Sequence, residues 1–213
     1  MTRRTNGVGV TNPLQMLATN DGRLWLLYTR TFADLLILEG FIECDVVYGD
    51  GTVQSSDLAD PNNGIGPGTL VGTFAADGSV TLNGEDPVRV IDFQAQRALT
   101  DTYNPAGTAQ LADVEGNWPV TAINGLPASM IVAADSSISG LINGAAFSGS
   151  LVPRSDSNVF DVQLTVHDPL SLLNDVSFAG VGFVSTLPGG RTQFVWTGVS
   201  ADRQAFQGML GIR

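Results

Sequence analysis

Residues 143–166 read NGAAFSGSLVPRSDSNVFDVQLTV. In the second half, Phe160, Val162, Leu164 and Val166 alternate with Asp161, Gln163 and Thr165. Side chains on a strand point to opposite faces with period two, so one face here is apolar and the other polar. In the first half Phe147, Gly149 and Leu151 alternate with Ala146, Ser148 and Ser150. Between them lies Pro153-Arg154-Ser155-Asp156-Ser157-Asn158, a run of turn formers whose proline suits a strand end. The apolar positions recur every second residue and do not follow the i, i+3, i+4, i+7 pattern that a helix requires. The stretch is an antiparallel hairpin with one wet face.

The same grammar recurs on either side. Asn20-Asp21-Gly22 separates an apolar run from Leu24–Thr29, where both faces are apolar and burial on both sides is expected. GFIECDVVYGDGTVQ reads as strand, Asp-Gly turn, strand, and GTLVGTFAADGSVTLNG as a hairpin with Ala76-Asp77-Gly78-Ser79 at its tip. Further hairpins are expected around Pro188-Gly189-Gly190 and Ser200-Ala201-Asp202-Arg203. Short helices are allowed only near 32–39 and 109–115. Residues 1–9 read as a frayed leader, and SSDLADPNNGIGPG as a loop on composition.

The segment ASMIVAADSSISGLING (128–144) echoes GTFAADGSVTLNG (72–84), with a Pro105 and Gly107 linker between the two. Such self-similarity predicts two related β-halves, 7–105 and 110–213, which could close as one unit. Regularly spaced short strands with turn signals give an all-β antiparallel barrel or sandwich. Glycines such as Gly140, Gly149, Gly180 and Gly182 favour the curved, barrel-like alternative.

Composition removes several function classes. All ten basic residues are arginine, so lysine nucleophiles and Schiff bases are excluded. The net charge of −11 disfavours nucleic acid and anionic lipid as partners. The most apolar stretch is broken by Arg30 and Asp34, so direct membrane insertion is not expected. The N-terminus lacks the apolar core of a signal peptide. One cysteine and one histidine cannot build a Cys/His zinc site, and no cofactor motif is present.

Single residues carry little chemistry at this level. His167 precedes Asp168, but neighbours on a strand point opposite ways, and no nucleophile elbow accompanies them. Cys44 lies between Glu43 and Asp45, which raise a thiol pKa, so a small buried hydrophobe is the better reading. Asp57, Asp60, Asn62 and Asn63 supply oxygens for calcium, but the spacing matches no known loop and a polar loop is preferred. Carboxylate pairs such as Glu85-Asp86 or Asp45 with Asp50 need a cleft to do acid–base work. Trp25, Trp118 and Trp196 are candidate ligand-lining residues of a barrel mouth, with core packing as the ordinary alternative.

The segments AQLADVEGNW, DSSISGLINGAAFSGSLVPRSDSNVFDVQLTV and FAGVGF resemble a group of uncharacterised bacterial envelope β-proteins, many described as lipoproteins. DGRLWLLY and DGTVQSSDLAD extend the resemblance to the N-terminal half. The group often has cysteine where Ala145 stands and another within 169–175; this chain has neither. The resemblance implies a periplasmic, envelope-associated or extracellular protein. The expected function is then that of a non-enzymatic β-domain acting by protein–protein contact or self-association in the envelope or an extracellular assembly. A small-molecule or lipid-binding barrel and a structural subunit of a phage virion or appendage are the alternatives.

Overall fold

A computed structural model describes residues 2–5, 12–32, 35–61, 65–85, 90–96, 103–168 and 175–213. The chain divides into two compact units, Met1–Arg97 and Ala98–Arg213. Both are antiparallel β-sheets curled toward closure, and no α-helix occurs among the described residues.

The N-terminal unit contains β1 (Thr2–Thr5), β2 (Asn12–Ala18), β3 (Arg23–Phe32), β4 (Leu35–Asp45), β5 (Val47–Gly49), β6 (Thr52–Asp60), β7 (Ile65–Phe74), β8 (Ser79–Glu85) and β9 (Val90–Gln96). The sheet order is β4-β3-β2-β1-β9-β8-β7-β6-β5, and a β4–β6 pairing of Glu43 with Ala59 draws its ends together. Its interior is packed by Leu24, Leu26, Tyr28, Ile42, Leu58, Leu70, Leu82 and Phe93, with Cys44 among them as a small apolar filler.

Three expectations are corrected in this unit. The segment read as a leader contributes β1, because Thr2–Thr5 pairs with β9 on one side and β2 on the other. The helix allowed over 32–39 is strand from Leu35 onward. There the register slips as Tyr28 pairs with Gly40 but Thr29 with Leu38, and this bulge breaks the period-two pattern that identifies a strand in sequence. The loop read over 55–68 is mostly β6 and β7, hidden by irregularities between Ser55 and Leu58 and between Leu58 and Asp60.

The C-terminal unit is a closed barrel of β10 (Gly116–Ala122), β11 (Pro127–Val132), β12 (Ser137–Ile142), β13 (Ala145–Pro153), β14 (Phe160–His167), β15 (Val176–Thr186), β16 (Thr192–Val199) and β17 (Phe206–Ile212). Every strand pairs with its sequence neighbour, and β17 returns to β10 through Val120–Gly211 and its neighbours. Before β10 the short helix expected near 109–115 is a single 3-10 turn, Leu111–Asp113.

The opening stretch is β13 and β14, paired from Ala146–His167 to Pro153–Phe160. Phe147, Leu151, Phe160, Val162, Leu164 and Val166 are buried in the barrel, as their alternation requires. The echo between the halves is structural. Ala75 and Ala133 each exchange backbone hydrogen bonds across a turn closed by Ser79 and Ser137. In both turns an aspartate, Asp77 or Asp135, accepts from the backbone N–H of the serine two residues on.

Candidate functional site

The three tryptophans are all buried. Trp118 and Trp196 belong to the cluster that fills the C-terminal barrel, together with Phe147, Phe160, Phe178, Phe194 and Met209. The Trp118 ring lies 5.6 Å from Phe194, and its Nε1–H donates to the Val114 carbonyl at 2.6 Å. Arg213 stacks over the same indole at 4.1 Å and donates to the carbonyls of Asp113 and Glu115 at 2.9 Å. Arg213 thus fastens the 3-10 turn beside the indole. Trp25 lies on the face of β3 opposite Leu24, Leu26 and Tyr28, 5.6 Å from the Phe41 ring.

The acidic candidates are engaged elsewhere. The Asp57 carboxylate accepts from Ser55 Oγ at 2.7 Å and from the Asp45 backbone at 3.0 Å. Asp60 accepts from the Tyr28 hydroxyl at 2.8 Å. Asn62, Asn63 and Asp86 lie outside the described residues. Among the described residues no three His, Cys, Asp or Glu side chains are grouped to hold a metal ion.

The polar face of the opening hairpin carries a different arrangement. Strands β13, β14 and β15 bring Ser148, Thr165 and Ser177 into one cross-strand row, and Ser150, Gln163 and Ala179 into the next. These side chains point away from the core, because their neighbours Phe147, Leu164 and Phe178 point into it. Thr165 and Ser177 share a hydroxyl–hydroxyl hydrogen bond of 2.9 Å. A groove of about 280 Å³ runs here, lined chiefly by Ser150, Gln163, Thr165, Ser177, Ala179 and Ala201.

His167 stands at the end of this wall. Its Nε2 is 3.1 Å from Ser148 Oγ, and its Nδ1 is 2.9 Å from a carboxylate oxygen of Asp175. An ionised carboxylate only accepts, so in the neutral imidazole a proton on Nδ1 satisfies Asp175 and leaves Nε2 as acceptor for the serine hydroxyl. That is the orientation of a general base beside a nucleophile. Asp175 is held at φ 57° just before β15, with its backbone N–H bonded to the Val166 carbonyl at 2.7 Å.

The histidine singled out in sequence is therefore partnered, but by Asp175 rather than the adjacent Asp168. The signal for Ser148 and His167 was present in the alternation, which puts both on the outward face. Nothing local indicated Asp175, because it reaches His167 only through the return of the chain from β14 to β15. The side chains of His167 and Asp175 are 45% and 69% exposed, so solvent screens their interaction.

No protein-family model matches the chain, and no curated protein matches it. Among solved structures, it is similar to a protein of unknown function from the DUF3598 family of Nostoc punctiforme. That likeness covers 95% of this chain and 87% of the other, at 10% identity and a TM-score of 0.30.

Proposed function

We propose that the protein is a recognition domain that works by surface contact, with the outer wall of β13–β15 as its working surface. The carrying observation is the groove on that wall, set against a barrel interior filled by Trp118, Trp196 and the surrounding phenylalanines. A filled interior leaves no support for a ligand seated between the tryptophans. Strand addition is equally poorly served, because closure pairs both sides of every strand in the C-terminal barrel. Among the described residues, the N-terminal sheet order ends in β4, joined to β6 at Glu43 and Ala59, and in the three-residue β5, where Val47 and Tyr48 are exposed.

The groove lining joins hydroxyl and amide groups to Gly149, Leu164, Phe178 and two alanines, and bears no charge. It suits an extended, uncharged polar segment of a partner protein, whose backbone and side-chain groups exchange hydrogen bonds with Ser150, Gln163 and Ser177. The resemblance to envelope β-proteins supports an envelope or extracellular setting for this contact. The test is to pan a displayed library of uncharged peptides against the protein. Enriched peptides should bind wild type and fail to bind a folded Gln163→Arg/Ser177→Arg double variant. Undiminished binding to that variant, or no enrichment, refutes the reading.

A further inference from the structure

We propose that Ser148, His167 and Asp175 form a nucleophile relay that hydrolyses neutral carboxylic esters at the end of the groove. The inference rests on the reading of this wall as the working surface and adds a chemical step to it.

A wet sheet face brings polar side chains together routinely, so a hydrogen-bonded serine and histidine alone mean little. Three features set this group apart. The contacts run in series, with the acceptor-only carboxylate at one end and the hydroxyl at the other. The hydroxyl end abuts the groove, since Thr165, opposite Ser148 in the ladder, lines it. Finally, Ser148 and His167 stand on paired strands whose register runs unbroken along β13 and β14, so their separation is set by the sheet. Positions on regular elements hold such geometry better than loops do.

Ser148 Oγ attacks the ester carbonyl carbon while its proton passes to His167 Nε2. The tetrahedral intermediate collapses, the bond to the alcohol oxygen breaks, and His167 returns the proton to that oxygen. Water then attacks the acyl-serine, again losing a proton to His167. The carboxylic acid leaves, and the serine hydroxyl is restored with that proton. Asp175 acts as a positioning residue: it holds the Nδ1–H form and stabilises the imidazolium.

The surroundings define the substrate. Strand β13 is paired on both sides, so its backbone N–H groups are engaged in the ladder and do not provide an oxyanion hole. The side-chain donor this wall offers is the Thr165 hydroxyl, directly across from Ser148 in the ladder and sharing a hydrogen bond with Ser177. One side-chain donor implies slow turnover and a preference for esters with good leaving groups. A net charge of −11 disfavours anionic esters, and a groove lined by no charged residue offers a cationic one no partner, which points to neutral esters.

The full-length protein should be treated with a fluorophosphonate probe and, separately, with p-nitrophenyl acetate. Peptide mass spectrometry is expected to find the probe on Ser148. Ser148→Ala should abolish the labelling, His167→Ala should lower ester hydrolysis by roughly 10²-fold or more, and Ser155→Ala should change neither. Asp175→Asn should lower kcat with little effect on KM, and Asp175→Glu should restore part of it. A probe scattered over other serines, no labelling, or hydrolysis undiminished in Ser148→Ala overturns the relay; the last result would assign the hydrolysis to imidazole alone. The wild-type labelling site decides the matter even if a variant fails to fold. Peptide binding without labelling refutes the relay and leaves the recognition reading standing. Labelling at Ser148 without peptide binding does the reverse.

Discussion

The Tyr28 hydroxyl donates a 2.8 Å hydrogen bond to the carboxylate of Asp60 inside the N-terminal unit, where both residues are buried. Tyr28 lies on β3 and Asp60 at the end of β6, so this bond links segments 32 residues apart. Removing one partner from a buried polar pair costs more than the pair contributes net, because the other keeps its desolvation penalty. Tyr28→Phe should lower unfolding free energy by about 1–3 kcal/mol, measured by urea titration. A change within the error of the titration would show that Asp60 does not depend on the phenol.

The core of the C-terminal barrel gives a paired prediction. Phe160 is 1% exposed and meets the Phe194 ring edge-on at 6.3 Å, whereas Gln163 faces outward. Phe160→Ala should cost about 3–5 kcal/mol through lost burial and the cavity left behind. Gln163→Ala should cost less than about 0.5 kcal/mol. Equal costs in denaturant titrations would refute the register of β14.

The two matching hairpin turns differ at one residue. Gly78 sits at φ 82° and its counterpart Ser136 at φ 70°. A side chain in left-handed backbone is penalised by contact between Cβ and the backbone, by about 1–2 kcal/mol. Part of that is recovered in Ser136→Gly, offset by the greater freedom of glycine in the unfolded chain. The expected net gain is about 0.5–1 kcal/mol, read as a raised melting temperature. The reverse exchange, Gly78→Ser, should lower it.

The aspartates of the same turns predict a response to acid. Hydrogen bonds from the Ser137 side chain and backbone hold Asp135 below its ordinary value of 3.8, and Ser79 does the same for Asp77. A carboxylate whose folded pKa is depressed contributes stability that is complete above its unfolded value. That contribution is lost as pH falls through the lower, folded value. The Asp77→Asn/Asp135→Asn variant should therefore have a lower urea midpoint than wild type at pH 7, with the gap narrowing at pH values below 3.8. A gap that stays constant with pH would mean that the carboxylate charge is irrelevant to the turns.

How far the sequence reached follows from the range of each interaction. Alternation is local, so the faces of β13 and β14 were legible in Phe160, Val162, Leu164 and Val166. Turn chemistry is local too, and the repeated Ala-Ala-Asp turn exposed the two related halves. Where a bulge interrupts the period, as opposite Tyr28 and Thr29 or between Ser55 and Asp60, the local signal failed, and strands read as a helix or a loop. Thr2–Thr5 bears no apolar pattern and becomes a strand only because β9 and β2 offer it partners.

The site divides along the same line. The sequence by itself determined that Ser148 and His167 face outward, and that Trp118 and Trp196 fall on strands able to fill a barrel. Only the tertiary structure decided that Ser148, two register steps from the residue opposite His167, comes within 3.1 Å of its imidazole, and that Asp175 rather than Asp168 closes the line. The physical reason is that strand pairing and the path from β14 to β15 set these distances. Neither can be read from the spacing of residues along the chain; both arise when β13 pairs with β14 and β14 with β15.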